Sequence, residues 1–507
     1  LTLPSGKSTF RGNVTNNGEI VGGSGELLVN GNYSGSGKLT LSSATSTFKG
    51  GTVNFSDTEL IHNDGTIIFA KEPSGMYSNY GQVALTVNNT VFNNVQIGTN
   101  DKTVKITVDG NLTVAGDFSA SNPNRFSQQQ TSSYKGITFS GTGKNISFLG
   151  KNTIEQIQVT GGSNTITFAS DNIITTKLNV SGAGNTISFA SENTITNLSV
   201  TANDNEITFF AENSITDLSV TANSNELMFS ANNTIGTLNL NGEEIIAKFG
   251  AGKTQTITKL TATGTSGNEV LLTTNSASPS VNDNSTWWNV AGLTSGNVTL
   301  SNAKIEYSKS QNPLLITSLD VKENPEASTE NWFLRKFYWF GKIDKNWNTA
   351  SNWSSSGDSY VACPIAPPTN VPPTNSGLSE ITIVKNDTNV LTLDSDINVK
   401  SFDVASSATV DFASYNVTSA NGISNEGTIR LQGTSGQTFS APTNKDGSTI
   451  EYYGNNFATF AWGTDYENLI FSEGISGDFV SSELNVLKNT TIVREIKVNY
   501  FCNILQK

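Results

Sequence analysis

At 507 residues the chain would ordinarily divide into several domains, yet only 14% of it is charged, and nothing in it resembles an amphipathic helix of useful length. A formal charge of −13 with only five arginines removes the basic surface that a nucleic-acid partner requires. With Gly, Ser, Thr and Asn abundant, the composition agrees with an all-β, extracellular protein, and no apolar run is long enough to cross a membrane.

Residues 1–140 are short β-type runs between Gly and Asn turns, such as Gly25 to Gly31 and Gly37 to Ser42, and are read as irregular solenoid coils. The single histidine, His62, lies in a predicted strand beside Asn63, Asp64 and Gly65. One histidine argues against a Ser-His-Asp triad or a multi-histidine metal site, so His62 is expected to be an ordinary surface or satisfied residue.

Residues 141–262 carry a rhythm of about 20 residues. One position reads Phe148, Phe168, Phe189, Phe209 and Phe229, and another reads Asn152, Asn172, Asn193, Asn213 and Asn233. A fixed short period marks a stacked repeat, in which each unit buries its apolar face only against its neighbours. Within a unit the apolar residues alternate, as in Ile187-x-Phe189, Asn193-x-Ile195 and Leu198-x-Val200, which predicts three short strands per coil. The expected fold is therefore all-β: a parallel, right-handed β-helix (β-solenoid) with coils of about 20 residues. Asn193 shares the parity of Ile195 and should point inward, stacked between Asn172 and Asn213, so that successive amides donate to one coil and accept from the other. A second column is formed by Asn164, Asn185, Asn205 and Asn225. Ile174 to Leu178 is one residue longer than Ile195 to Leu198, which places a single insertion in that turn.

Residues 263–335 read as irregular terminal coils, residues 336–380 as a Trp- and Pro-rich junction, and residues 381–507 as the start of a second solenoid module. Asn16 to Ile20 and Asn63 to Ile67 resemble Asn425 to Ile429 and Lys445 to Ile450, and Val91 to Ile97 resembles Asp465 to Phe471, so the second module partly repeats the N-terminal region. The tryptophan-rich segment from Ser328 to Ser356, which holds Trp332, Trp339, Trp347 and Trp353, is the expected cap of the central solenoid. The last strand, Ile496 to Ile504, should lack its next coil. The sequence begins at Leu1 without an export signal and reads as a mature form or fragment. Cys363 and Cys502 either pair or stay free, and neither joins a metal-ligand cluster.

The segment Trp339-x-Gly341-x-x-Asp344-x-x-Trp347, continuing to Asn352-Trp353 and then to prolines, resembles a motif found between β-helical segments of large repetitive bacterial surface proteins, autotransporter-like or filamentous-haemagglutinin-like. The resemblance implies a long adhesion or display fibre at the bacterial cell surface. Its expected partners are a host or matrix glycan or protein, or neighbouring copies of itself, and no cofactor is implied.

Aromatic residues are the expected ligand contacts, since Trp and Tyr on a rigid scaffold stack on sugars or anchor interfaces. The candidates are Trp287, Trp288, Tyr452, Tyr453 and Trp462; adjacency in a strand predicts that Trp287 or Trp288 points outward. Trp339, Trp347 and Trp353 are expected to pack at the junction, with Asp344 fixing a turn between them. β-Helices also host polysaccharide lyases and hydrolases, whose sites use carboxylates with Lys or Arg. Asp204 with Glu206, Glu243 with Glu244, and Asp283 are the residues to weigh for that alternative, and each reads better as a solvated turn carboxylate. No residue is assigned a catalytic role.

Overall fold

The computed structural model describes residues 1–72, 81–88, 90–98, 104–120, 131–312, 314, 316, 321–323, 328–333, 336–354, 379–384, 389–434, 436–454, 465–472, 484–492 and 504–506. Among these there is no α-helix, and short parallel strands stack as a β-solenoid of about 18 turns with coils of about 21 residues. The chain forms two compact units, the first of residues 1–314 and 318–332, the second of residues 315–317 and 333–507.

One side of the first unit is a fifteen-stranded parallel sheet from Ser8–Phe10 to Val321–Glu323. At the sheet spacing of ~4.8 Å, its fourteen steps span roughly 67 Å. The first coils have three strands each, as alternation predicts: Ser8–Phe10, Val14–Thr15 and Glu19–Val21 lie beneath Leu27–Val29, Tyr33–Ser34 and Lys38–Thr40.

In the regular section the three predicted strands become two. Thr186–Phe189 turns Ile187 and Phe189 inward, and the second and third runs fuse into Thr194–Val200. Ile195 and Leu198 both face the core because two successive residues, Thr196 and Asn197, point away from it, bending the strand without a turn. The extra residue between Ile174 and Leu178 is absorbed at this bend, where the ladder shifts register and then resumes.

The core is built of columns. Phe148, Phe168, Phe189, Phe209 and Phe229 are fully buried, with ring centroids 4.7–4.9 Å apart and planes within 6° of parallel. The ring spacing is that of the sheet, so identical side chains at one register stack without strain. The column runs on through Phe249, at 5.2 Å from Phe229, and Trp288, at 4.1 Å from Phe249. Trp332 follows, 5.9 Å from Trp288.

The asparagines form internal ladders. Asn193 is 3% exposed; its Nδ2 donates to Asn213 Oδ1 (3.1 Å) and to the Ser191 carbonyl (2.6 Å). Its Oδ1 accepts from Asn172 N (3.0 Å) and Asn172 Nδ2 (3.1 Å), so both donors and both acceptor sites are used. Asn152 and Asn172 begin this ladder, and Asn233 passes it to Gln255 Oε1 at 3.1 Å. The second column repeats the device, with Asn185 Nδ2 donating to Asn205 Oδ1 at 3.1 Å and Asn205 Nδ2 to Asn225 Oδ1 at 3.2 Å.

The second unit stacks its own parallel sheets, including Lys336–Trp339, Glu380–Ile383, Ser401–Val404, Ile423–Asn425 and Pro442–Asn444 on one side. Asn16 and Asn425 are both buried, accept from the N–H of Gly18 and Gly427 (3.2 and 3.1 Å), and donate to the next coil's carbonyl at Lys38 and Thr449.

The tryptophan-rich segment is not a single cap. Trp332 ends the aromatic column of the first unit, whereas Phe337, Trp339, Trp347 and Trp353 belong to the core of the second. The boundary therefore falls after Trp332 and not across 336–380, because Lys336–Trp339 already pairs in parallel with Glu380–Ile383 as a coil of the second unit. Cys363, Cys502, the prolines from Pro364 to Pro373 and the stretch from Ile496 to Asn503 lie outside the described residues.

Candidate functional site

The aromatic candidates are mostly interior. Trp287 is 4% exposed and Trp288 0%, so neither points out. The parity argument fails because the strand begins at Trp288, while Trp287 closes a 3-10 turn of Asn284–Thr286 and donates through Nε1 to the Ser280 carbonyl at 2.7 Å. Asp283 starts that turn, accepting from Ser285 N (3.0 Å) and Oγ (2.6 Å), and these bonds hold its carboxyl below the usual range.

Tyr452 is fully buried, its hydroxyl 3.1 Å from that of Tyr466. Tyr453 is half-buried; its hydroxyl donates to both oxygens of Asp411 (2.8 and 3.0 Å), and the Arg430 guanidinium lies 4.9 Å from its ring centre. Burial and the adjacent Asp411 raise the Tyr453 pKa. Trp462 lies outside the described residues.

Trp339, Trp347 and Trp353 are fully buried, with Trp353 5.1 Å from Trp339 and 4.9 Å from Trp347. Asp344 accepts from Asn346 N (2.8 Å), Thr349 Oγ1 (2.8 Å) and Asn352 Nδ2 (2.7 Å), which ties the loop between Trp339 and Trp353. The Asn346 bond, with those of Asn352 and Thr349, keeps the Asp344 carboxyl below its usual value.

Of the carboxylates weighed for catalysis, Asp204, Glu243 and Glu244 sit at coil corners, whereas Glu206 opens the strand Glu206–Phe209. Asp204 and Glu244 occupy left-handed positions (φ +62° and +55°) stacked with Gly143, Ser163, Gly184 and Ser224. Glu243 turns to Thr265 Oγ1 at 3.0 Å, and Glu206 is exposed. His62 Nδ1 accepts from the Asp64 N–H at 3.0 Å.

What the sequence did not bring together is a pocket of about 440 Å³ on the outer face of the fifteen-stranded sheet. Glu226, Ile246, Leu271 and Lys304 are consecutive outward positions on adjacent coils. Glu244 and Glu269 stand beside them, and a turn from Thr265 to Asn268, with Gly267 at φ +94°, forms a wall. Glu226 pairs with Lys248 at 2.6 Å, and Glu269 with Lys304 and Lys322 at 3.3 and 3.5 Å. A backbone hydrogen bond, more than the two lysines, lowers the Glu269 pKa. A register table over coils of unequal length would have signalled this cluster, but coil lengths here vary with the loop at 264–269.

Elsewhere the outer faces are ladders of hydroxyls and amides. Thr194, Ser214, Thr234 and Thr256 lie in one register, and Asn179, Ser199, Ser219, Asn239 and Thr261 in another. Beside the first ladder runs an open groove of about 400 Å³ edged by Asp171, Glu192 and Glu212. Among the described residues no group of three or more His, Cys, Asp or Glu is arranged to hold a metal ion. The chain matches no protein-family model, no curated protein and no solved structure.

Proposed function

We propose that this chain is a structural or adhesive module of a secreted or cell-surface bacterial protein, in which the solenoid supplies an extended scaffold for attachment or display. The observation that carries this reading is the unbroken aromatic and amide stacking of the regular coils, which keeps the outer hydroxyl and amide ladders in fixed register. Such a face binds through many weak, repeated contacts, to host or matrix glycan or protein or to neighbouring copies. The resemblance of the Trp339 to Trp353 segment to surface-protein junctions supports the same setting.

The test is attachment of the purified 507-residue chain to glycan arrays, matrix proteins and cells, with self-association read by light scattering. Attachment is the expected result; none on any surface would refute the adhesive part. A second reading, a polysaccharide-degrading enzyme, draws on the carboxylates and lysine around the pocket at Glu226, Glu244, Glu269 and Lys304. Release of reducing ends from a polysaccharide panel would favour it.

A further inference from the structure

We infer that the pocket over Ile246 and Leu271 is a subsite for a neutral oligosaccharide; this names the ligand class within the attachment reading and rests on it. Ile246 and Leu271 are outward-facing, half-buried neighbours in the ladder, an aliphatic floor in a sheet whose other outward positions are largely polar or charged. One face of a pyranose ring is a patch of C–H groups that rests on such a floor, while its equatorial hydroxyls reach sideways.

The walls supply the acceptors those hydroxyls need. Glu226 is fixed by Lys248, and Glu269, with a side chain only 11% exposed, is fixed by Lys304 and Lys322. Each paired carboxylate keeps lone pairs for a further donor. Glu244 holds the opposite side, where its Oε2 accepts from Ser224 Oγ at 3.4 Å. Glu226, Glu244 and Glu269 line the pocket with Lys304, while Lys248 and Lys322 pair with two of these carboxylates from beyond the lining, so the pocket has no excess positive charge with which to select an anionic polymer. A volume of about 440 Å³ lies within the range of pockets that enclose small ligands, which typically place a few fixed polar groups around an apolar surface.

The experiment is a glycan array followed by calorimetric titration of the retained oligosaccharides against the full chain. Two variants are compared with the parent: Leu271→Glu, which charges the floor, and Glu244→Gln, which removes a strong acceptor from an exposed turn. Thr418→Glu, at an exposed strand position of the second unit, is the control. The proposal expects neutral oligosaccharides to be retained by the parent and the control, with at least a tenfold loss in both pocket variants and unchanged melting curves. It is overturned by absence of neutral glycan retention, by preference for anionic glycans, or by undiminished affinity of Leu271→Glu. Cell attachment measured in parallel separates the two readings: attachment without glycan retention sinks the pocket and leaves the display module standing.

Discussion

Replacing Asn193 by Ala removes four hydrogen bonds from the middle of a ladder. The side chain's donations to Asn213 Oδ1 and the Ser191 carbonyl vanish, and the Asn172 N–H and Nδ2 lose the oxygen they both reach. A net worth of about 1 kcal/mol per bond gives a loss of about 4 kcal/mol, with the stranded Asn172 N–H contributing much of it. The damage should be local, since a solenoid coil touches only its neighbours. Hydrogen exchange followed by mass spectrometry on peptides covering residues 165–215 is the direct assay. At 1.4 kcal/mol per tenfold, the Asn172 amide should exchange roughly 10³-fold faster if it exchanges through opening of these coils. Asn193→Asp should cost still more at neutral pH, because a desolvated carboxylate would face the Asn213 Oδ1 and the Ser191 carbonyl. A loss below about 1 kcal/mol for Asn193→Ala would refute the account of a fully satisfied internal ladder.

Trp347→Ala should destabilise the second unit by about 3–5 kcal/mol, because the indole is fully buried against Trp353; calorimetry that resolves the two units checks it, and a negligible change would place the ring at the surface. Asp344 has a depressed folded-state pKa, so its contribution is present above the unfolded value of about 3.9 and is lost as pH falls through the folded value. The stability gap between the parent and Asp344→Ala should therefore be widest near neutral pH and close below about pH 4 in thermal melts; a constant gap would show that the turn does not depend on the charge. Gly161→Ala should cost about 1–3 kcal/mol, because a Cβ there would lie 1.8 Å from the Gly141 carbonyl oxygen at the corner where the two coils meet; an unchanged urea midpoint would mean that the corner relaxes freely.

Much of this architecture was legible in the chain because a repeated register makes identical residues neighbours. The Phe148 to Phe229 and Asn152 to Asn233 columns need only a period and a parity to be placed, and the insertion near Lys177 betrays itself by one residue of offset. The candidate site was less legible. Trp287 and Trp288 were misplaced because adjacency implies opposite faces only inside a strand, and the 3-10 turn seeded by Asp283 keeps Trp287 out of one. Trp332 was grouped with Trp339 by proximity in sequence, yet the two pack into different cores.

The sequence by itself determined the period, the inward parity and the chemistry of the internal columns, since stacking at ~4.8 Å is a local consequence of parallel pairing. Only the tertiary structure decided that two of three predicted strands fuse, that the tryptophans divide between two units, and that Glu226, Glu244, Glu269 and Lys304 meet around Ile246 and Leu271. Those outcomes depend on which coils lie beside one another once loops of unequal length have been closed, and loop length leaves no periodic trace in the chain.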